Sequence, residues 1–89
     1  MKPDQEAFWS ARFSEAGDDY LFGTAPNRFL VAQAGRLQAG WTALSVADGE
    51  GRNSVFLAEE GLRVTAVEIS PVGLHKAQRL AASRHVQVD

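Results

Sequence analysis

Residues 44–53 read Leu-Ser-Val-Ala-Asp-Gly-Glu-Gly-Arg-Asn, and residues 64–70 read Val-Thr-Ala-Val-Glu-Ile-Ser. An apolar strand leads into a glycine-rich turn and a helix, and a second apolar strand ends at the carboxylate of Glu68. In α/β proteins, glycines in such a turn let the backbone approach a ligand, and an acid after the next strand binds ribose hydroxyls. The two segments therefore predict a nucleoside-binding site on a parallel sheet.

The turn carries two carboxylates of its own, Asp48 and Glu50. Negative charge repels the pyrophosphate of a dinucleotide but attracts the cationic sulfonium and amino groups of S-adenosylmethionine. Two unit charges about 4 Å apart interact by roughly 4 kcal/mol at an effective dielectric constant near 20. The turn therefore favours S-adenosylmethionine over NAD. Structural roles stay open, since Asp48 can form the turn and Glu50 can complement the positive end of a helix.

The chain has 89 residues, of which 45% are hydrophobic, and a net charge of −2. These values predict one small globular domain. Because no surplus of basic residues is available to neutralise phosphates, we expect no nucleic-acid partner. The absence of cysteine excludes disulfides and thiolate zinc sites, and His75 and His85 have no metal-ligand spacing. A charged N-terminus and short apolar runs predict a cytoplasmic protein without a membrane partner.

Hydrophobic spacing and capping residues predict the elements around these segments. In chain order we expect a helix from Pro3 to Gly17, a helix capped by Thr24, a buried strand over Thr42–Ala47, a helix over Asn53–Glu60, a buried strand over Arg63–Ile69, a helix capped by Ser70 and a strand over Val86–Val88. The nearly continuous apolar strands predict a sheet covered on both faces. In the last helix, Leu74 is expected on the buried side and Lys76 in solvent.

These elements predict an α/β fold, a partial Rossmann-like sheet of about three parallel strands flanked by helices. We expect residues 1–40 to form an N-terminal helical segment, and residues 41–89 to form the βαβαβ part that binds the cofactor. The strand that would flank the first strand on its other side is missing. We therefore expect a fragment, or a chain that self-associates through the open sheet edge.

Segments 44–53 and 64–71 occur together with Lys76-Ala77 and with the lead-in 20–27, Tyr-Leu-Phe-Gly-Thr-Ala-Pro-Asn. With these segments, residues 9–89 resemble the N-terminal half of a class I S-adenosylmethionine-dependent methyltransferase. Within that family they are most similar to the branch of tellurite-resistance and thiopurine methyltransferases. The resemblance implies that the chain is a fragment of a seven-stranded fold. It implies S-adenosylmethionine as cofactor and a small-molecule methyl acceptor, bound by strands that follow residue 89. It also implies that the 89-residue chain is inactive alone.

The chain departs from the family pattern at two positions. Ala47 stands where the family usually has a glycine, which requires a backbone angle that alanine can adopt. Ser45 stands where the family has an acid at the end of the first strand, and this removes a carboxylate that typically orders the loop. Both departures predict weaker cofactor binding than is usual in the family.

The residues and the resemblance together select the candidate cofactor-binding residues. They are Trp9, Tyr20, Phe22, Gly23, Ala47, Asp48, Gly49, Glu50, Gly51, Asn53, Glu68, Ile69 and Ser70. We assign no catalytic residue and no metal ligand. By the resemblance, the N-terminal segment lies over the cofactor with Trp9, Tyr20 and Phe22 nearest to it. Since large aromatic residues are most often core, packing in the interior stays open for these three.

Two other functions stay open beside a methyltransferase. A dinucleotide-binding module predicts the pattern Gly-x-Gly-x-x-Gly, but positions 47, 52 and 54 hold alanine, arginine and serine. A non-catalytic interaction module with a truncated Rossmann-like fold would need neither a cofactor nor an acceptor site.

Overall fold

The computed structural model describes residues 3–89, with two parallel strands flanked by helices. In chain order the elements are α1 (Pro3–Glu15), α2 (Arg28–Ala32), a 3₁₀ turn (Ala34–Arg36), β1 (Thr42–Val46), α3 (Arg52–Glu59), β2 (Arg63–Val67) and α4 (Pro71–Ser83). The predicted order of helices and strands is confirmed up to α4, and the strand predicted after it is absent from the described residues. Within the described residues, no helix has both the length and the apolar character needed to cross a bilayer.

The sheet consists of β1 and β2 paired in parallel, with Ala43 opposite Val64 and Val46 opposite Val67. The prediction of a strand over residues 86–88 is wrong, because these residues do not pair with β2. Of this segment only Asp89 bonds to the sheet. Its amide donates to the Val64 carbonyl at 3.0 Å and its carbonyl accepts from the Ala66 amide at 2.7 Å. These two bonds are the parallel ladder pattern, so they mark where a third strand would start beside β2.

The end of α4 explains why residues 86–88 do not pair with β2. His85 adopts a left-handed conformation, with φ of 59°. The Val86 amide donates back to the Ala81 carbonyl and the His85 amide to the Ala82 carbonyl. This is the Schellman ending of a helix, here with histidine in the position that glycine usually takes. The backbone of Val86 is therefore still bonded to α4 instead of to the sheet.

Only one face of the sheet is covered. On that face α3 packs against the strands, and Leu57, Leu62 and Val64 form a buried cluster. On the other face Leu44 is 65% exposed and Val46 is 69% exposed. The expectation that both faces are covered is therefore wrong, because no element among residues 3–89 packs against the second face.

The N-terminal helix α1 packs on α4 and not on the sheet. Its Phe13 is only 2% exposed. The second helix starts later than predicted, since Asn27 and not Thr24 caps it. The Asn27 side chain accepts from the amides of Phe29 and Leu30, which fixes α2 as a helix of five residues. The proposed boundary at residue 40 stays a prediction.

Helix α4 begins as predicted, with the Ser70 hydroxyl accepting from the Gly73 amide at 3.1 Å and Pro71 in its first turn. Two predictions for its sides are wrong. Leu74 is 36% exposed, and Lys76 is 4% exposed. Lys76 is buried because α1 and the loop after it pack over this side of α4.

Candidate functional site

A cavity of about 450 Å³ lies at the carboxyl ends of the two strands. It is lined by Trp9, Phe13, Phe22, Gly23, Val46, Ala47, Asp48, Gly49, Glu50, Arg52, Asn53, Val67, Glu68 and Ile69. Every candidate residue lines it except Tyr20, Gly51 and Ser70. The carboxyl ends of parallel strands are where open α/β sheets bind ligands. The cavity therefore lies where the fold is expected to bind a small molecule.

Glu68 joins the glycine-rich turn to the start of α4. One of its carboxylate oxygens accepts from the Gly49 amide at 2.8 Å, and the other accepts from the Ser70 amide at 2.9 Å. A carboxylate has about four acceptor positions, so each oxygen retains capacity for a further hydrogen bond. Glu68 is half-buried and lines the cavity. It can order the turn and accept hydrogen bonds from a ligand at the same time.

Asp48 is buried and orders the first turn of α3. Its carboxylate accepts from the Ser54 amide at 3.2 Å and from the Ser54 hydroxyl. The Ser45 hydroxyl donates to it at 2.7 Å. Accepting from a free amide at the start of a helix is the role of a capping carboxylate. Asp48 therefore has the structural role in the turn that the sequence left open. Ser45 stands where the family has an acid and helps to order the turn by its bond to Asp48.

Glu50 is buried in an ion pair with Lys76. The distance between Glu50 Oε2 and Lys76 Nζ is 2.9 Å, and this oxygen has no further hydrogen-bond partner. The other carboxylate oxygen accepts from the Leu21 amide at 2.7 Å. The argument that the Glu50 charge is free to attract a cationic ligand is therefore wrong, because the Lys76 ammonium neutralises it.

The ammonium group of Lys76 also bonds backbone carbonyls of the N-terminal region. Beside Glu50, it donates to the Phe13 carbonyl at 2.6 Å and to the Asp19 carbonyl at 2.7 Å. Phe13 lies in the last turn of α1, where helix carbonyls lack partners and a cation is favourable. Removing one partner of a buried ion pair typically costs about 3–5 kcal/mol, so the side chain of Lys76 is strongly tied to this arrangement.

The glycines of the turn have different neighbours. Gly49 faces Phe13, and a Cβ on it would lie in ordinary contact at 3.6 Å. Gly51, with φ of 93°, lies against α4, and a Cβ there would come within 2.7 Å of the Ala77 Cβ. The prediction that Gly51 faces the ligand is therefore not supported, since its missing side chain makes room for a helix. Ala47 adopts φ of 53°, so the turn holds an alanine where glycine is favoured.

The aromatic residues predicted to lie near the cofactor separate into two groups. Trp9 and Phe22 line the cavity, and Trp9 stacks on Phe13 with ring centroids 5.9 Å apart. Tyr20 does not line the cavity but packs against the buried cluster of α3 and α4. Its hydroxyl donates to the Lys76 carbonyl at 3.3 Å. For Tyr20 the alternative of interior packing is the one that the structure shows.

No protein-family model and no curated protein matches the sequence significantly. A solved structure does match the fold, with a TM-score of 0.77 and 22% sequence identity, over 93% of this chain. The matched structure concerns the conversion of a disulfide bond into a thioacetal group during echinomycin biosynthesis. The chain shares its fold with that structure over the matched range. It spans 37% of the length of that protein.

Four residues of the cavity were missed from the sequence: Phe13, Val46, Arg52 and Val67. Phe13 lies one helical turn after Trp9, so helical spacing could have placed both on one side of α1. Val46 and Val67 end the two strands directly before predicted site residues. For Arg52 no local signal was present. Among residues 3–89 no cluster of three His, Cys, Asp or Glu side chains has an arrangement that could hold a metal ion.

Proposed function

We propose that the cavity binds S-adenosylmethionine and that the chain is the cofactor-binding part of a small-molecule methyltransferase. The observation that carries this proposal is the position of Glu68. Its carboxylate lines the cavity at the end of β2 and is bonded to the Gly49 amide in the turn after β1. A nucleoside bound at this edge would meet a hydrogen-bond acceptor for its ribose beside a backbone without a side chain.

The residues of the cavity fit the parts of this cofactor. Glu68 would accept hydrogen bonds from the ribose hydroxyls, and charge-assisted bonds of this kind contribute about 1.5–3 kcal/mol each. Trp9 and Phe22 would give an apolar cover for the adenine ring. When bound, the cofactor supplies the methyl group that is transferred. The role of the chain is to orient the cofactor and to exclude water from one side of it.

The charge around the cavity supports this cofactor over a dinucleotide. Asp48 and Glu68 line it with carboxylates, and the charge of Glu50 is balanced by Lys76. Arg52 is the basic residue in the lining, and its guanidinium lies 3.5 Å from the Ala25 carbonyl. A pyrophosphate in this cavity would therefore lie among an excess of negative charge, which is unfavourable at short range.

The chain spans 37% of the structure that it matches. We therefore propose methyl transfer for the whole protein and not for this chain alone. We propose that a small-molecule acceptor binds outside the residues described here. The similarity of segments 20–27 and 44–53 to tellurite-resistance and thiopurine methyltransferases supports that branch. Self-association through the free edge of β1 is part of the same proposal.

Calorimetric titration of the chain with S-adenosylhomocysteine and with NAD tests the proposed cofactor. We expect S-adenosylhomocysteine to bind and NAD to bind more weakly or not at all. Glu59→Gln removes a carboxylate on α3 that pairs with Arg84 away from the cavity. We expect this variant to bind S-adenosylhomocysteine as tightly as wild type. Tighter binding of NAD than of S-adenosylhomocysteine would contradict the proposal.

A further inference from the structure

Part of the cavity wall comes from the N-terminal segment, here residues 4–23, which comprises α1 and the loop after it. From this segment Trp9, Phe13, Phe22 and Gly23 line the cavity. The opposite wall consists of the glycine-rich turn and the end of β2. A ligand between the two walls is therefore enclosed only while the N-terminal segment stays packed on α4.

Lys76 makes the buried polar contacts that hold the two walls together. From α4 it donates to the Phe13 carbonyl in the last turn of α1 at 2.6 Å and to the Asp19 carbonyl in the loop at 2.7 Å. Its ion pair with Glu50 extends the connection to the glycine-rich turn, and Glu50 in turn accepts from the Leu21 amide. Lys76 of α4 and Glu50 of the glycine-rich turn thus bond the same stretch of backbone, residues 13–21.

The other polar contacts of the N-terminal segment are weaker or more exposed. Asp18 is almost fully exposed and lies 3.8 Å from Arg79, which is also exposed, so this pair contributes little. The hydroxyls of Ser10 and Ser70 share one neutral hydrogen bond at 2.8 Å. By contrast, the Lys76–Glu50 pair that bonds the backbone of the segment is charged and buried, with both side chains at most 5% exposed.

We infer that Lys76 is a positioning residue that, together with Glu50, holds the N-terminal segment closed over the cavity and so sets the affinity for the cofactor. This inference rests on the proposed function. If the segment lifts from α4, the Lys76 ammonium loses two carbonyl acceptors and must be hydrated in their place. Closure of the segment and burial of this charge are therefore one event. If the closed state falls to about a tenth of its population, apparent affinity falls about tenfold.

The test is the double variant Lys76→Met/Glu50→Gln. It removes both charges, so no unpaired charge is left buried, and the amide side chain introduced at position 50 keeps an oxygen for the Leu21 amide. The single variant Glu50→Gln is measured beside it, since Glu50 also lines the cavity and its substitution alone leaves the Lys76 ammonium without its counterion. All variants are made in a Trp41→Phe background, which leaves Trp9 as the fluorescent reporter in the N-terminal segment.

A control variant removes an exposed ion pair that does not contact the N-terminal segment. Arg84 and Glu59 lie 3.1 Å apart at the ends of α4 and α3, and both are partly exposed. The double variant Arg84→Met/Glu59→Gln makes the same chemical change away from the cavity. Since exposed pairs contribute little, we expect its affinity to stay within about twofold of wild type.

Three measurements are made on each protein: titration with S-adenosylhomocysteine, Trp9 emission, and amide exchange without ligand. For Lys76→Met/Glu50→Gln we expect about tenfold weaker binding than for wild type. Trp9 emission should shift to the red. Exchange should rise at residues 13–21 while the amides of β1 and β2 stay as protected as in wild type.

The outcomes separate this inference from the proposed function. Unchanged affinity in the double variant, or exchange that rises equally in β1 and β2, would overturn the inference and leave the proposed function standing. A wild-type chain that binds no S-adenosylhomocysteine would overturn the proposed function. It would also overturn the proposed role of Lys76 in setting the affinity.

Discussion

At the scale of single residues, the carboxylates that line the cavity all accept hydrogen bonds from the chain itself. Asp48 binds the start of α3, Glu50 binds the loop at Leu21, and Glu68 binds the turn at Gly49. Each acid therefore contributes to the shape of the site whether or not a ligand is present. A substitution at these positions changes both the order of the turn and the chemistry offered to a ligand.

Glu68→Ala should weaken binding of S-adenosylhomocysteine by roughly 2–4 kcal/mol, since it removes the acceptor for the ribose and the bond to the Gly49 amide. The fold should persist, because Glu68 is half-buried at the end of a strand. Calorimetry gives the affinity, and circular dichroism gives the fold.

Glu68→Gln separates the two contributions of this side chain. It retains an oxygen for one backbone amide but has no charge and one acceptor oxygen fewer. We expect an affinity between those of wild type and Glu68→Ala. If both variants bind as tightly as wild type with intact folds, Glu68 is only a structural carboxylate.

Ala47→Gly should raise the free energy of unfolding by about 0–1 kcal/mol. The left-handed conformation at Ala47 costs an L-residue about 1–2 kcal/mol, and glycine relieves it but loses more backbone entropy on folding. Urea unfolding measures the change. Ala82→Gly, on the exposed side of α4, is the control and should lower stability by about 1 kcal/mol. A loss of stability at both positions would show that Ala47 is not strained.

At the scale of elements, the contact between the glycine-rich turn and α4 fixes how closely the two approach. A Cβ at Gly51 would lie 2.7 Å from the Ala77 Cβ and 2.9 Å from its Cα. Gly51→Ala should therefore lower stability by about 2–4 kcal/mol, through backbone strain and overpacking together. Thermal or urea unfolding measures it.

Gly40→Ala is the control for the strain alone. Gly40 has φ of 90°, close to the 93° of Gly51, but a Cβ there would meet nothing within 4 Å. It should cost about 1–2 kcal/mol. Equal losses at the two positions would mean that α4 can move away from the turn.

Elements with local signals were predictable from the sequence. The cap at Ser70 and the glycine-rich turn between two apolar strands depend on residues close to one another in the chain, and both are present. Burial of Lys76 was not predictable, because its partners Phe13 and Glu50 are distant in sequence. Most of the cavity lining was predictable because it lies in or directly beside the glycine-rich turn and the strand ends. The packing of Tyr20 was not, because it depends on tertiary contacts.

At the scale of the whole molecule, β1 has both an unpaired edge and an uncovered apolar face within residues 3–89. Leu44 and Val46 lie on that face, joined by Val67 of β2, which is 50% exposed. Exposed strand edges pair with other chains, and contiguous apolar surface favours association. We expect the 89-residue chain to self-associate through β1 and to transfer no methyl group alone.

Light scattering and amide exchange check this expectation. Leu44→Lys should reduce self-association, because a charge on an edge strand opposes pairing. Phe29→Lys is the control, since Phe29 is 73% exposed but lies on α2. A stable monomer with strongly protected amides over residues 44–46, or methyl transfer above background, would contradict it.

The bond between Lys76 and the Phe13 carbonyl also bears on how the chain folds during synthesis. The two residues are 63 positions apart. At ribosomal rates of about 5–20 residues per second, Lys76 emerges roughly 3–13 s after Phe13. Helix α1 is thus translated early but gains its anchor on α4 only when nearly all the other described elements have been made. Until then its aromatic side chains are open to chaperones and proteases, which makes this helix a natural point for cellular quality control.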